Sequence, residues 1–290
     1  MNPTTPSDQI FAEIFDRRSE SAFDQPRDDA VCLSVAEAGG SAGFDNVAAE
    51  ATNFEYRGTS FREDMIARQS GSTARHRTLT CALSMTLFGT PSYALPAVAA
   101  IIALRKLRLY IAENTTPLSS GLAKALPPKS LVRSEYFGER HRSGTSVGGV
   151  RHEDLQHLSL DDASCDIVVT SEVLEHVPDP LRAEREIVRI LQRGGYYVFT
   201  VPLDPVGTTD TILAERLADG SHRFYGEPVY HGDPLRSEGI LAYRIFSIAG
   251  LEERFAKLGC TMTTYRFWSP ALGIVGTNSF VHVARKLRAV

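Results

Sequence analysis

Acidic side chains stand at the ends of four successive short apolar runs, in places suited to binding a polar ligand. They are Glu113, Glu135, Asp154 and Glu172. In an open α/β sheet the ligand lies beyond the carboxyl ends of the strands, where the winding of the sheet reverses. A carboxylate there can accept hydrogen bonds from hydroxyl or amino groups of the ligand. The positions of these residues therefore predict a binding site along one edge of a sheet.

The elements that would position these residues begin after Ala103, where strand-like and helical runs alternate. This alternation is typical of a doubly wound α/β fold with crossover helices. The predicted strands are Leu107–Ala112, Ser130–Tyr136, Val147–Arg151, Cys165–Thr170, Tyr196–Val201, Cys260–Trp268 and Ser279–Lys286. The predicted helices are Leu118–Leu126, Asp179–Leu191 with its end marked by Gly194 and Gly195, and Phe246–Leu258. Residues 104–290 are expected to form one α/β domain.

Residues 203–243 are polar, rich in glycine and proline, and too long for a simple connection after the fifth strand. We expect a lid or substrate-binding insertion there. The aromatic candidates to line an acceptor pocket in or after this insertion are Phe224, Tyr225, Tyr230 and Trp268.

Residues 1–103 are expected to form an N-terminal extension that is partly flexible and helical from about residue 61. Its first apolar cluster, from Ile10 to Phe15, suggests a short helix on a mobile arm. The run Phe61–Leu87 has helical spacing, and the basic cluster Arg75–Arg77 is interpreted as a solvated helix start. The apolar stretch Leu95–Leu104 is about half of the roughly 20 residues that cross a bilayer, so a buried helix is predicted.

Composition restricts the class of partner. The chain has 31 Lys and Arg against 35 Asp and Glu, a net charge of −4, so nucleic acid is not expected as a substrate. No basic region followed by an apolar run opens the sequence, which predicts a cytoplasmic location. The four scattered cysteines fit reduced thiols.

The stretch from Glu153 to Pro202 carries three motifs at fixed spacing. In the first motif, Asp154 and Leu158 form a D-x-x-x-L pattern. The connection to the fourth strand then continues with Asp161, Ser164 and Asp166. Val173–Pro180 then reads V-L-E-H-V-P-D-P, and Arg189–Gly195 reads R-I-L-Q-R-G-G. The stretch closely resembles the core of class I S-adenosylmethionine-dependent methyltransferases, in a bacterial type-11-like subgroup.

The resemblance implies a Rossmann-like sheet and S-adenosylmethionine as the cofactor. The carboxylate of Glu135, at the end of the second strand, would accept the hydrogen bonds of both ribose hydroxyls. The adenine would lie against residues near the next strand end, and two residues after the fourth strand would border the sulfonium or the acceptor. These further cofactor residues are Tyr136, Asp154, Leu155, Ser171 and Glu172.

One segment departs from the family pattern. The first strand of these enzymes normally runs into a Gly-x-Gly-x-Gly loop, whereas this chain reads Ala112–Pro117, A-E-N-T-T-P. Some bacterial members use such a Glu-x-x-Thr-Pro loop, so Glu113 is predicted to face the cationic amino end of the methionine moiety. The missing glycines also disfavour a nicotinamide oxidoreductase. They leave a non-catalytic binding or scaffolding protein as the alternative.

Methyl transfer to a hydroxyl also needs a general base, for which His176 and His231 are the candidates. His176 could instead only cap or pack at the start of the following helix. Glu172, Glu175 and His176 form an E-x-x-E-H group that resembles the metal-binding part of methyltransferases acting on RNA 3′ ends and on ubiquinone precursors. Those enzymes need further ligands, which the sequence does not locate, so no metal ligand is predicted.

Together these features predict methyl transfer from S-adenosylmethionine to an oxygen or nitrogen of a small molecule or a bacterial sugar or glycan. No membrane span is expected, and a homodimer remains open.

Overall fold

A computed structural model describes residues 10–17, 19, 21–233 and 236–287. The N-terminal part of the chain contains both strands and helices, whereas mainly helices were expected. Its elements are β1 (Phe11–Ile14), α1 (Gln25–Ala38), β2 (Gly40–Asp45), β3 (Glu50–Tyr56), α2 (Phe61–Asp64), β4 (Met65–Ala67), α3 (Ala74–Phe88) and α4 (Leu95–Leu104). The last of these confirms the predicted buried helix.

The first apolar cluster forms a strand, so the prediction of a short helix there is wrong. β1 pairs antiparallel with residues 265–268, and the Phe15 amide donates to the Thr264 carbonyl at 2.8 Å. Four apolar residues cannot stabilise an isolated helix. Pairing along a sheet edge satisfies the same backbone groups.

The single helix predicted over Phe61–Leu87 is also wrong, because the chain breaks between Asp64 and Ala74. There β4 pairs antiparallel with β3, and β3 with β2. Gly71 has a φ of 73° in the intervening turn, a conformation that favours glycine. The helical spacing on either side belongs to two separate helices.

The basic cluster at the start of α3 is not a solvated helix start. Arg77 is fully buried, and its guanidinium lies 4.2 Å from the centre of the Phe54 ring. Its side chain donates hydrogen bonds to the carbonyls of Leu272, Ser72, Met65 and Gly273 and to the Ser72 hydroxyl. Burial lowers the pKa of Arg77 to about 9, so the group stays a cation at neutral pH.

From residue 109 the chain follows the predicted alternation. The elements up to the fifth predicted strand are β5 (Leu109–Ile111), α5 (Pro117–Ala125), β6 (Leu131–Arg133), β7 (Ser146–Val147), β8 (Val150–Arg151), β9 (Cys165–Ser171), α6 (Pro180–Ile190) and β10 (Leu191–Thr200). The remaining elements are β11 (Leu203–Asp204), β12 (Thr211–Ile212), β13 (Ala214–Arg216), β14 (His222–Phe224), β15 (Tyr230–Asp233), β16 (Arg236–Leu241), β17 (Arg244–Ser247), α7 (Ile248–Lys257), β18 (Cys260–Trp268) and β19 (Phe280–Lys286).

The main sheet has seven strands in the order β6-β5-β9-β10-β19-β18-β1. It is mostly parallel, as between β9 and β10, whereas β18 and β19 run antiparallel, with Phe267 N bonded to Ser279 O and Leu287 N to Gly259 O. From β5 the chain proceeds outward to β6 and then returns to β9 on the other side. The winding therefore reverses between β5 and β9, which confirms the predicted doubly wound α/β class.

Gly194 and Gly195 do not end the helix before them. α6 ends at Ile190 and β10 begins at once, with a register shift between Leu191 and Tyr196. A side chain at Gly195 would place its Cβ 2.8 Å from the Asp166 carbonyl oxygen of the neighbouring strand. The two glycines therefore lie where the register of β10 against β9 shifts.

The segment predicted as an insertion carries small antiparallel ribbons. β13 pairs with β14, and β15 with β16, while β11 and β12 both pair with β17. These short strands make up much of the connection between β10 and α7. Its role as a substrate-binding insertion stays a prediction.

The chain folds as two compact units. Among the described residues, one comprises residues 10–109, 116–132 and 263–283, and the other comprises residues 110–115, 133–262 and 284–287. The domain boundary predicted near residue 103 stays a prediction, and residues 1–9 of the extension lie outside the described residues. Within the described residues, no helix is both long and apolar enough to span a bilayer.

Candidate functional site

The loops that follow β5 and β6 meet at the carboxyl edge of the sheet. Ala112 N donates to Val169 O at 3.1 Å, which fixes the end of β5 beside β9. In the loop beyond it, the Asn114 amide donates to Glu135 Oε2 at 3.3 Å. Glu113, the residue before Asn114, is only 6% exposed. Both predicted carboxylates thus lie at the point where the winding reverses.

Glu135 lies two residues beyond β6, which is shorter than the predicted second strand. It forms an isolated parallel bridge with His152, in which Glu135 N donates to Arg151 O at 2.9 Å and Glu153 N to Glu135 O at 3.2 Å. The predicted third strand is therefore a β7–β8 hairpin joined to this edge by one bridge. That bridge brings the segment that begins at Asp154 beside Glu135.

The carboxylate of Asp154 is engaged within its own turn. Its Oδ1 accepts hydrogen bonds from the Gln156 amide at 2.9 Å and from Gln156 Nε2 at 3.2 Å. Leu155 is buried, and the half-buried Tyr136 ring lies 5.5 Å from the His152 ring. An Asx turn explains the bonds of Asp154 structurally. Its contact with adenine stays a prediction.

β9 ends at Ser171, which is buried and pairs with Thr200. The next residue, Glu172, has a φ of 54° although it carries a side chain, and its amide donates to Thr200 O at 3.1 Å. This conformation costs about 1–3 kcal/mol and persists mainly at functional sites. The strained turn directs the chain from the sheet edge into the segment with Glu175 and His176.

Four residues beyond β9, a buried carboxylate faces two imidazoles. Glu175 Oε1 lies 3.6 Å from His176 Nε2 and 3.6 Å from His231 Nδ1. The two histidine rings stand nearly perpendicular, with their centroids 5.0 Å apart. The structure therefore brings together the two histidines that the sequence offered as alternative bases.

Burial, followed by the charge on Glu172, raises the pKa of the Glu175 carboxyl, and the nearby His231 offsets part of that increase. Glu175 is fully buried, and neither of its oxygens has a hydrogen-bond partner among the described residues. Leaving a buried carboxylate without a partner is costly.

The β15–β16 hairpin supplies the second half of this cluster. His231 pairs with Ile240 across the hairpin, and the Leu241 carbonyl lies 2.8 Å from His176 Nδ1. Tyr243 N then donates to the carbonyl of Glu175 at 2.7 Å. His176 itself lies in a 3₁₀ turn, Leu174–His176, and α6 begins only at Pro180.

Sequence reasoning did not predict that the side chains of Glu175 and His231 lie close together. The two residues are far apart in the chain, and no spacing rule links a strand-end turn to a hairpin in a long connection. The sequence marked each histidine only separately. His176 lies in the E-x-x-E-H group, and His231 lies in the Y-H-G-D-P run.

Residues 130–199 match a protein family described as "Methyltransferase domain". An uncharacterized methyltransferase of Mycobacterium sp. strain JLS is 36% identical over 107 residues, which are 32% of this chain and 42% of that protein. A probable S-adenosylmethionine-dependent methyltransferase of Mycolicibacterium smegmatis is 40% identical over 53 residues, or 18% of this chain and 21% of the relative. The chain thus spans 42% or less of the length of these curated relatives.

Solved structures with similarity to the chain include an S-adenosylmethionine-dependent methyltransferase of Mesorhizobium loti. It is 14% identical with a TM-score of 0.37, over 62% of this chain and 90% of that one. The family match covers residues 130–199, about a quarter of the chain, and the strand order is that of a doubly wound α/β sheet.

Proposed function

We propose that this protein transfers a methyl group from S-adenosylmethionine to an oxygen or nitrogen of a small molecule or a bacterial sugar or glycan. The observation that carries the proposal is the cluster of carboxylates at the point where the winding reverses, within a domain that matches a methyltransferase family. When bound, the cofactor supplies a methyl group on a sulfonium. The protein then has to hold donor and acceptor in line and exclude water.

The residues at this edge fit the polar groups of the cofactor. Glu135 offers a half-buried carboxylate for the ribose hydroxyls, held in place by the amide of Asn114. Leu155 and Tyr136 supply apolar surface for the adenine, next to the carboxylate of Asp154. Ser171 and Glu172 border the reacting end.

Glu113 compensates for the missing glycine loop in this proposal. Its carboxylate is almost fully buried at the end of β5, where a cationic amino group would be stabilised by the opposite charge. A glycine loop binds through bare backbone amides, whereas this loop would bind through a side-chain charge.

His176 and His231 are the proposed acceptor-activating groups. They lie together, and His231 belongs to the segment predicted to cover the acceptor. That segment also exposes the rings of Phe224, Tyr225 and Tyr230, on which a sugar ring or a planar small molecule could pack.

Incubation of the full chain with radiolabelled S-adenosylmethionine and fractionated bacterial lysate tests the activity. We expect label to appear in a low-molecular-weight or glycan fraction. Absence of label from every fraction, with the cofactor bound, would instead favour the alternative motivated by the missing glycines, a non-catalytic binding or scaffolding protein.

Glu135→Ala is expected to weaken cofactor binding by about 1–3 kcal/mol, because a charged hydrogen-bonding partner is removed. Titration calorimetry measures the change. Glu139→Ala is the matched control, since Glu139 lies nearby on an exposed segment and pairs with Arg216. Equal affinities of the Glu135 variant and the wild type would show that the second strand end does not bind the ribose.

A further inference from the structure

We propose that Glu175, His176 and His231 bind a divalent transition-metal ion. Each side chain offers one ligand atom, and these atoms all lie within 4.8 Å of one another. Glu175 and His176 belong to the E-x-x-E-H group of the sequence. The hairpin supplies the missing histidine.

The spacing of the ligand atoms suits a small ion. Bonds of about 2.0–2.2 Å in a tetrahedral arrangement place ligand atoms about 3.4 Å apart. Glu175 Oε1 lies 3.6 Å from the nearer ring nitrogen of each histidine. These separations exceed a hydrogen bond and leave room for a cation between the three atoms.

The protonation of His176 strengthens the case. A backbone carbonyl can only accept, so Nδ1 must carry the proton in its 2.8 Å bond to Leu241 O. In the neutral imidazole, Nε2 then presents a lone pair to Glu175 Oε1, at the distance where a negative oxygen would repel it. A ligand histidine held through its other nitrogen by a backbone carbonyl is the usual outer-sphere arrangement of a metal site.

The buried carboxylate of Glu175 would also be stabilised by a cation. Both oxygens of Glu175 are buried without a hydrogen-bond partner among the described residues, and the carboxyl of Glu172 adds a further negative charge nearby. Buried charges are paired or coordinate metals. A divalent ion would compensate both the charge and the missing bonds.

The ligand set selects the kind of ion. Two imidazoles and one carboxylate suit Zn²⁺, Fe²⁺, Mn²⁺ or Co²⁺, whereas Mg²⁺ and Ca²⁺ prefer oxygen ligands. Three protein ligands leave a coordination position open, as in catalytic sites. If the proposed methyl transfer is correct, an acceptor hydroxyl bound there would lose its proton more easily. That last step rests on the proposed function, but metal binding does not.

The binding is tested without cofactor or acceptor. The full chain is freed of metal by chelator and dialysis and titrated with Co²⁺, with visible absorption as the readout of coordination and elemental analysis as the readout of stoichiometry. We expect one ion per chain, absorption bands of a nitrogen- and oxygen-ligated site, and a higher melting temperature with metal.

Two variants and one control locate the site. Glu175→Gln keeps the shape of the side chain and His231→Ala alters a residue on a partly exposed hairpin, so both should fold. Each should weaken Co²⁺ binding by at least about 100-fold, more than the loss of an outer partner of a ligand. His157→Ala, which removes an exposed histidine outside the cluster, should leave binding unchanged.

The proposal would be overturned if the folded wild-type chain bound no Co²⁺, or if the Glu175→Gln and His231→Ala variants bound it as tightly as the wild type. Because no cofactor is present, failure here leaves methyl transfer as a separate question, tested by the label experiment.

Discussion

Replacing His176 by alanine is expected to lower methyl-transfer turnover about 100- to 10,000-fold, because it removes a residue proposed to activate the acceptor. Cofactor affinity should change much less, because most of the residues proposed to bind the cofactor lie on the loops after β5, β6 and β8. Turnover is measured with radiolabelled cofactor and the fraction that accepts label, and affinity is measured by calorimetry. His157→Ala, on an exposed position, is the control.

Equal losses of turnover and affinity in the His176 variant would contradict this assignment. They would show that His176 acts through its bond to the Leu241 carbonyl, by holding the hairpin against the turn after β9. A His231→Ala variant separates the two readings, since it removes the second imidazole and leaves that bond intact.

The second large effect concerns folding. Arg77→Met should reduce the free energy of unfolding by about 3–5 kcal/mol, the range for removing one member of a buried charged network. The substitution removes the hydrogen bonds that the guanidinium donates to the carbonyls of Leu272, Gly273 and Met65, and one of the two that the Ser72 carbonyl accepts. Urea denaturation followed by circular dichroism measures the change.

Arg57→Met is the control for this measurement. The Arg57 side chain is 62% exposed and pairs with Glu55, and exposed ion pairs contribute about 0–1 kcal/mol. Similar losses of stability in the two variants would contradict a structural role for the buried guanidinium.

The sequence predicted the sheet best where strands are covered on both faces. The run Ile167–Val169 is fully buried in β9, and α4 coincides with its apolar stretch. A strand that is buried on both faces has a continuous hydrophobic sequence, which makes it easy to recognise. The positions of Glu113 and Glu135 near strand ends followed from the same pattern.

The prediction failed where non-local contacts determine the local structure. The Ile10–Phe15 segment forms an edge strand because residues from the far end of the chain supply its hydrogen bonds. Arg77 is buried because carbonyls from distant loops converge on its guanidinium, and a charge pattern read from the sequence cannot show that.

The candidate site shows the same limit. The φ of Glu172 and the meeting of His231 with Glu175 depend on how the hairpin folds back on the turn after β9. Sequence spacing identified each residue separately. Only the three-dimensional arrangement shows that Glu175 faces both histidines.

Titration calorimetry of the full wild-type chain with S-adenosylmethionine tests the central claim most directly. We predict saturable binding of one cofactor molecule per chain, weakened by Glu135→Ala and unchanged by Glu139→Ala. A chain with a folded circular-dichroism spectrum and no detectable cofactor binding would contradict the proposed methyltransferase.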